Sequence, residues 1–277
     1  VITGDLTDNA SEKDFEILRM LFKGFSLLNT DRLSIVPGNH DIFGGAQTAE
    51  EILTFPQKCI NTNYHQKIQR YTEYFRETYS KCIFRNEDSC FPFIKILDDV
   101  LIAGLNSVIP YSKITNPFAS NGEIQLEQFT SLNSLLNDFS GFCKFKLVML
   151  HHHFEKITPY NNKPVSIWNN IEKRTMKLRK KKRLYELFNK YHIDLILHGH
   201  YHNSAEYEKK GLRFLNAGAT IKGRVPDEMN INFVNLSHNN ITIDIHKLEN
   251  NSVKVKHSFL SDLLEQADRI KNQIDDV

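Results

Sequence analysis

Four times in this chain an apolar run of strand length ends in a short polar block: VITGDLTD at residues 1–8, LSIVPGNHD at 33–41, FKLVMLHHHF at 145–154 and IDLILHGHYH at 193–202. In an α/β architecture the loops at one edge of the sheet share a crevice, and sites form there. The blocks consist of Asp, Asn and His, and seven of the twelve histidines fall inside them. Such residues are ligands for Mn, Fe or Zn rather than for Ca or a cysteine-based zinc site. Each block alone is ordinary. Gly-Asp after a strand is a turn, Gly-Asn tolerates positive φ, and at least one of His151, His152 and His153 is expected to pack or support. Together and in this order they point to a metal centre.

The text between the blocks supplies the rest of an α/β fold. Ser11 caps a helix with Asp14 three residues on, and Phe15, Leu18, Leu21, Phe22 and Phe25 form its apolar face. Val1 and Ile2 read as the tail of one strand and Leu33–Val36 as the next, broken by Pro37 and Gly38. Residues 42–92 are polar and aromatic and read as a helical insertion. Two strands follow around a turn at Asp98 and Asp99. Then comes a helix with Ile124, Phe129, Leu132, Leu135 and Leu136 on or near one face. A basic helix is expected from Lys173 to Tyr191, with Leu184, Leu187, Phe188 and Tyr191 at helical spacing. Short strands, among them INFVNL, ITIDIHKL and SVKVKHSF, and a helix from Ser261 close the chain.

Charge narrows the classes of partner. With 35 basic and 33 acidic side chains the net charge is +2, which gives no global drive toward nucleic acid or membrane. A nuclease reading draws on the eight Lys and Arg between Lys173 and Arg183, but base-stacking aromatics are sparse there and a solvated helix face is favoured. No apolar run reaches the roughly 18 residues of a membrane span. The four cysteines, Cys59, Cys82, Cys90 and Cys143, lack CxxC spacing. They read as reduced thiols of a cytoplasmic chain, with a bridge between Cys82 and Cys90 left open.

The four blocks resemble those of the calcineurin-like metallophosphoesterase family, whose pattern is DxH, GDxxD, GNH[DE], a single or doubled His, and GHxH. LIAGLNS before the helical stretch NGEIQLEQFTSLNSLL and LNAGAT after the last block are similar to the family's phrasing too. The style is nearest to bacterial cyclic-nucleotide and glycerophosphodiester phosphodiesterases. The resemblance implies one phosphoesterase domain over 1–277: a four-layer α/β sandwich of two mixed sheets flanked by helices, with 205–277 giving C-terminal strands and a terminal helix. It implies hydrolysis of phosphate mono- or diesters by attack of a metal-bound hydroxide, on two divalent ions (Mn, Fe or Zn).

Carried over by residue, Asp5 bridges the two metals. Asn39, His200 and a histidine of the triple run bind the second metal, with His152 favoured and His151 the fallback. His202 belongs to the first metal. His40 follows a ligand and lies near the phosphate, where it stabilises charge or protonates the leaving oxygen. Asp41 is expected to fix its tautomer. Asp8 is expected to cap a helix ahead of holding a ligand. The DxH block should precede Asp5 by a few dozen residues, so the chain reads as a fragment with one good metal site. A non-catalytic protein that keeps one metal is the alternative outside the enzyme class.

Overall fold

The computed structural model describes residues 1–46, 49–85, 89–154, 176–202, 204–219, 229–238 and 240–248. A six-stranded mixed sheet forms the centre: β1 (Phe93–Leu97), β2 (Val100–Gly104), β3 (Phe145–Met149), β4 (Leu195–His198), β5 (Ala205–Lys209) and β6 (Leu212–Asn216), in the order β1-β2-β3-β4-β6-β5. β2, β3, β4 and β6 run parallel, and antiparallel β1 and β5 flank them. The parallel strands are short apolar runs because both faces are covered. Val148 and Ile196 point into a cluster with Leu132, Leu135, Leu184 and Phe188 of helices α5 (Leu126–Phe139) and α6 (Lys182–Lys190). Leu147, Met149, Leu195 and Leu197 point the other way, into a cluster with Phe15, Ile35, Ile42, Tyr71 and Phe75.

The second cluster is closed by helices α1 (Glu12–Gly24) and α4 (Tyr64–Tyr74) and by a second sheet, the antiparallel pair β7 (Met229–Ser237) and β8 (Asn240–Leu248). Val234, Leu236, Ile241 and Ile243 of that pair rest on it. The result is the mixed α/β architecture expected, two sheets flanked by helices. Helices α2 (Asn39–Phe43) and α3 (Ala49–Asn61) complete the described set. Among the described residues no helix is long and apolar enough to cross a membrane, and all four cysteines are free thiols.

Three expectations are corrected. The strands at Val1–Ile2 and Leu33–Val36 reduce to one parallel bridge, Ile2 to Ile35, held by Ile2 N–H to Ser34 O at 2.9 Å and Val36 N–H to Ile2 O at 3.2 Å. Phe25 lies just past α1 and is exposed. The basic helix begins only at Lys182, because Leu178 instead pairs as a strand with Gly122. There Lys180 bonds Glu123 at 2.6 Å, Arg179 donates to Thr115 O at 2.9 Å, and Arg183 reaches Ile124 O and lies over the Phe129 ring. These three cations meet local acceptors. The expected strand SVKVKHSF and the helix from Ser261 lie outside the described residues.

Helix α1 shows what local sequence decides. Ser11 caps it by accepting the Asp14 N–H at 3.2 Å, as the spacing predicts, and Phe15 is its buried anchor. At the other end Gly24 is still helical and nothing lies within 4 Å of where a Cβ would stand. Gly24→Ala should therefore stabilise the protein by about 0.4–1 kcal/mol by restricting the unfolded chain. Urea denaturation midpoints check it.

Candidate metal centre

The C-terminal ends of β2, β3 and β4 point to one edge of the sheet and deliver Ser107, His151–His153 and His200 side by side. The Ile2–Ile35 bridge delivers the other two blocks opposite them. Gly4 and Gly38 let the two turns touch: a Cβ on Gly4, whose φ is +99°, would stand 2.6 Å from both Gly38 N and His151 Nδ1. Asp5, His200 and His202 hold φ of 55°, 72° and 49°, a left-handed conformation that costs a non-glycine residue about 1–2 kcal/mol.

Asp5, His151 and His200 offer ligand atoms that all lie within 4.8 Å of one another. The convergence centres on one nitrogen. His151 Nε2 is 3.2 Å from Asp5 Oδ2, 3.1 Å from the Asn39 amide oxygen and 2.8 Å from His200 Nδ1. The other ring nitrogen of His151 faces the Thr3 carbonyl at 2.8 Å, which only an N–H can serve. One proton on or beside Nε2 satisfies one of its three contacts and leaves electron-rich atoms facing each other. A cation in their midst would satisfy all of them. His200 Nε2, buried and without a hydrogen-bond partner, is a further donor atom left over. The residues present therefore fit a divalent metal, and imidazole, carboxylate and amide oxygen are donors such a metal accepts.

The electrostatics agree. Burial opposes the charge on Asp5, but the His151 imidazole beside it and His40, whose backbone N–H reaches Asp5 Oδ1 at 3.0 Å, hold its carboxyl well below the usual range. Burial likewise works against a charged His151, and the Asp5 carboxylate reverses that and raises it. Burial first, and the neighbouring imidazoles second, keep His152 and His200 well below the ordinary histidine value.

Three residues stand elsewhere than expected. His151, not the favoured His152, meets Asp5, Asn39 and His200, while His152 Nδ1 lies 2.8 Å from Ser107 Oγ. Asp41 does not fix His40. Its carboxylate takes the N–H groups of Thr7 at 2.8 Å and Gly38 at 2.9 Å and the Thr7 hydroxyl at 3.2 Å, so it ties the first two blocks together. Burial and the neighbouring Asp5 charge push Asp41 up to about 7. Asp8 makes the contact expected of Asp41: its Oδ1 lies 3.1 Å from His40 Nδ1, both side chains partly exposed. Ser11, not Asp8, caps the helix.

His202 is exposed and is outside the converging group. His198 turns into the core, its Nε2 2.7 Å from the Tyr207 hydroxyl, and burial lowers it to about 3. Sequence reasoning missed Thr3, Thr7 and Ser107. The signal for Ser107 was present, since LIAGLNS is a fifth apolar run ending in polar residues.

Comparison with known proteins finds several likenesses. Among solved structures, the chain is similar to a Staphylococcus aureus protein described as a 5'-nucleotidase, in complex with alpha-ketoglutarate (14% identity, TM-score 0.38, 96% of this chain and 57% of that one). It is also similar to phosphopantetheinyl hydrolase from Mycobacterium tuberculosis (12%, 0.40, 78% of each chain). A third likeness is to GAP50, the anchor in the inner membrane complex of Plasmodium (12%, 0.34, 90% of this chain and 80% of that one). The chain thus spans little more than half the length of the first of these, and no curated protein matches its sequence. The profile of the calcineurin-like phosphoesterases matches residues 1–204, which takes in all four polar blocks and every residue of the converging group. This chain belongs to the calcineurin-like phosphoesterase family.

Proposed function

We propose that this chain carries the catalytic site of a metal-dependent phosphoesterase acting on phosphate mono- or diesters. The observation that supports it most is the crowding of Asp5, Asn39 and His200 around His151 Nε2. Those four residues would hold one divalent cation, and their donors suit Mn, Fe or Zn. His202, exposed beside them, would serve a second cation together with Asp5. Divalent cations held there supply Lewis acidity toward a phosphoryl oxygen and make a nearby water more acidic.

The chain's own groups would do the rest. Asp8 accepts the Nδ1–H of His40, which leaves Nε2 as the nitrogen available to a substrate. In its charged form that ring can stabilise the phosphoryl oxygens and pass its proton to the leaving oxygen. Asp41 keeps the Gly-Asp and Gly-Asn turns in register, so that Asp5 and Asn39 stay aimed at His151.

The test is hydrolysis of bis(p-nitrophenyl) phosphate by the full-length protein. Turnover should appear with added Mn, vanish on treatment with a chelator and return when Mn is restored. Failure of Mn, Fe and Zn alike to support turnover would overturn the proposal.

A further inference from the structure

Two adjacent histidines stand at the end of β3, and their ring nitrogens are presented in opposite ways. We infer that Ser107 is the positioning residue that selects between them, holding His152 in the one neutral tautomer that cannot ligate a metal there and so reserving the centre for His151. The inference rests on the metal-site reading above and deepens it.

The argument is a count of lone pairs and protons. Ser107 is fully buried. Its Oγ accepts the backbone N–H of His151 at 3.2 Å and of His152 at 3.1 Å. A hydroxyl oxygen has two lone pairs and one proton, so these two bonds use its accepting capacity. Its remaining contact, His152 Nδ1 at 2.8 Å, must be served by the Ser107 proton. That nitrogen is then an acceptor and carries no hydrogen. The proton of neutral His152 is on Nε2, and the only ring lone pair is already engaged by Ser107.

His151 has the reverse arrangement. Its Nδ1 faces the Thr3 carbonyl and must be the N–H, which bares the lone pair of Nε2 toward Asp5, Asn39 and His200. Two oxygens, one a serine hydroxyl and one a carbonyl, thus impose opposite tautomers on neighbouring residues. The neighbouring group that fixes a histidine's tautomer decides which nitrogen a metal meets.

Ser107 is itself fixed for this task. Its carbonyl accepts Glu123 N–H at 3.0 Å, and Val108 pairs with Gly122. The preceding Asn106 is held from both sides by Gln128, whose side chain accepts the Asn106 N–H and donates to its carbonyl, each at 2.8 Å. Gly122 closes the other side of the His152 ring: a Cβ there would stand 2.3 Å from its Cγ. The ring is clamped as well as bonded.

The test reads the ring directly. Long-range nitrogen-15 NMR of the histidine side chains, on the full-length protein without metal and then loaded with zinc, should show His152 with bare Nδ1 and protonated Nε2 in both states. Zinc should shift the ring nitrogens of His151. In Ser107→Ala the His152 ring should lose this single tautomer, and zinc affinity should fall about 10- to 100-fold. A hydrogen on Nδ1 of His152 in the native protein would overturn the inference. So would a Ser107→Ala variant that changes neither tautomer nor affinity. If that variant does not fold, the native spectrum alone decides. A native protein that binds no zinc, manganese or iron while keeping the stated tautomer would instead count against the metal-site reading.

Discussion

Replacing His40 by alanine is expected to lower kcat for phosphodiester hydrolysis by about a hundred- to ten-thousand-fold, the usual range for a positioned acid or base, while leaving bound metal unchanged. The separation is possible because the His40 side chain faces Asp8 and solvent, whereas its backbone N–H is what supports Asp5. Alanine keeps that N–H. The loss should be larger for an alkyl ester than for a nitrophenyl ester, because nitrophenolate leaves with little need of a proton. Rate measurements on both esters, with metal content determined on the same samples, check it. Equal losses on the two substrates would assign His40 to charge stabilisation alone, and activity within a few-fold of native would remove it from the mechanism.

A second large effect is expected at a residue with no functional group. Gly38 has φ of −100°, which any residue adopts, so conformational freedom is not why it is glycine. The reason is space: a Cβ would stand 2.1 Å from Asp5 Oδ1 and 2.3 Å from Asp5 N. Neither atom can move away freely, since Asp5 Oδ1 is bonded to the His40 N–H and Gly38 N–H is bonded to Asp41. Gly38→Ala should cost about 1–3 kcal/mol of stability, as overpacking does, and should turn the Asp5 carboxylate out of line with His151. Metal affinity should fall at least about tenfold. Thermal denaturation and zinc titration of the variant measure the two effects. An unchanged affinity would show that Asp5 is not held by this contact.

The blocks that carry the site were legible because strand ends and polar residues are local patterns. GDLTD, GNHD, the histidine run and HGHYH could be read as one centre from the chain alone, and the α/β class followed from the same alternation. What could not be read were choices made by partners distant in sequence. His151 and His152 are chemically identical neighbours, and Thr3 and Ser107 distinguish them across 148 and 45 residues. Asp8 stands where Asp41 was expected for a similar reason. Asp41 is next to His40 in sequence, but the one-turn helix α2 turns its carboxylate back to Gly38 and Thr7, and Asp8 fills the place beside the ring. The basic segment misled by composition: its charges read as a solvated helix face, while Gly122 draws Leu178 into a parallel bridge and Glu123 binds Lys180.

The slender join between Ile2 and Ile35 bears on how the protein holds itself together. Asp5 and Asn39 hang from that single bridge, whereas His151 and His200 are anchored in the six-stranded sheet. A cation shared by the four would join the two pairs of ligands. Whatever binds the folded state alone adds to its stability by mass action, about 2.7 kcal/mol at a hundred times the dissociation constant. Here that gain would fall on the contact between the two pairs. Loading the site would then quiet the opening motions of the first turn, making the cation a keystone of the architecture as well as a reagent.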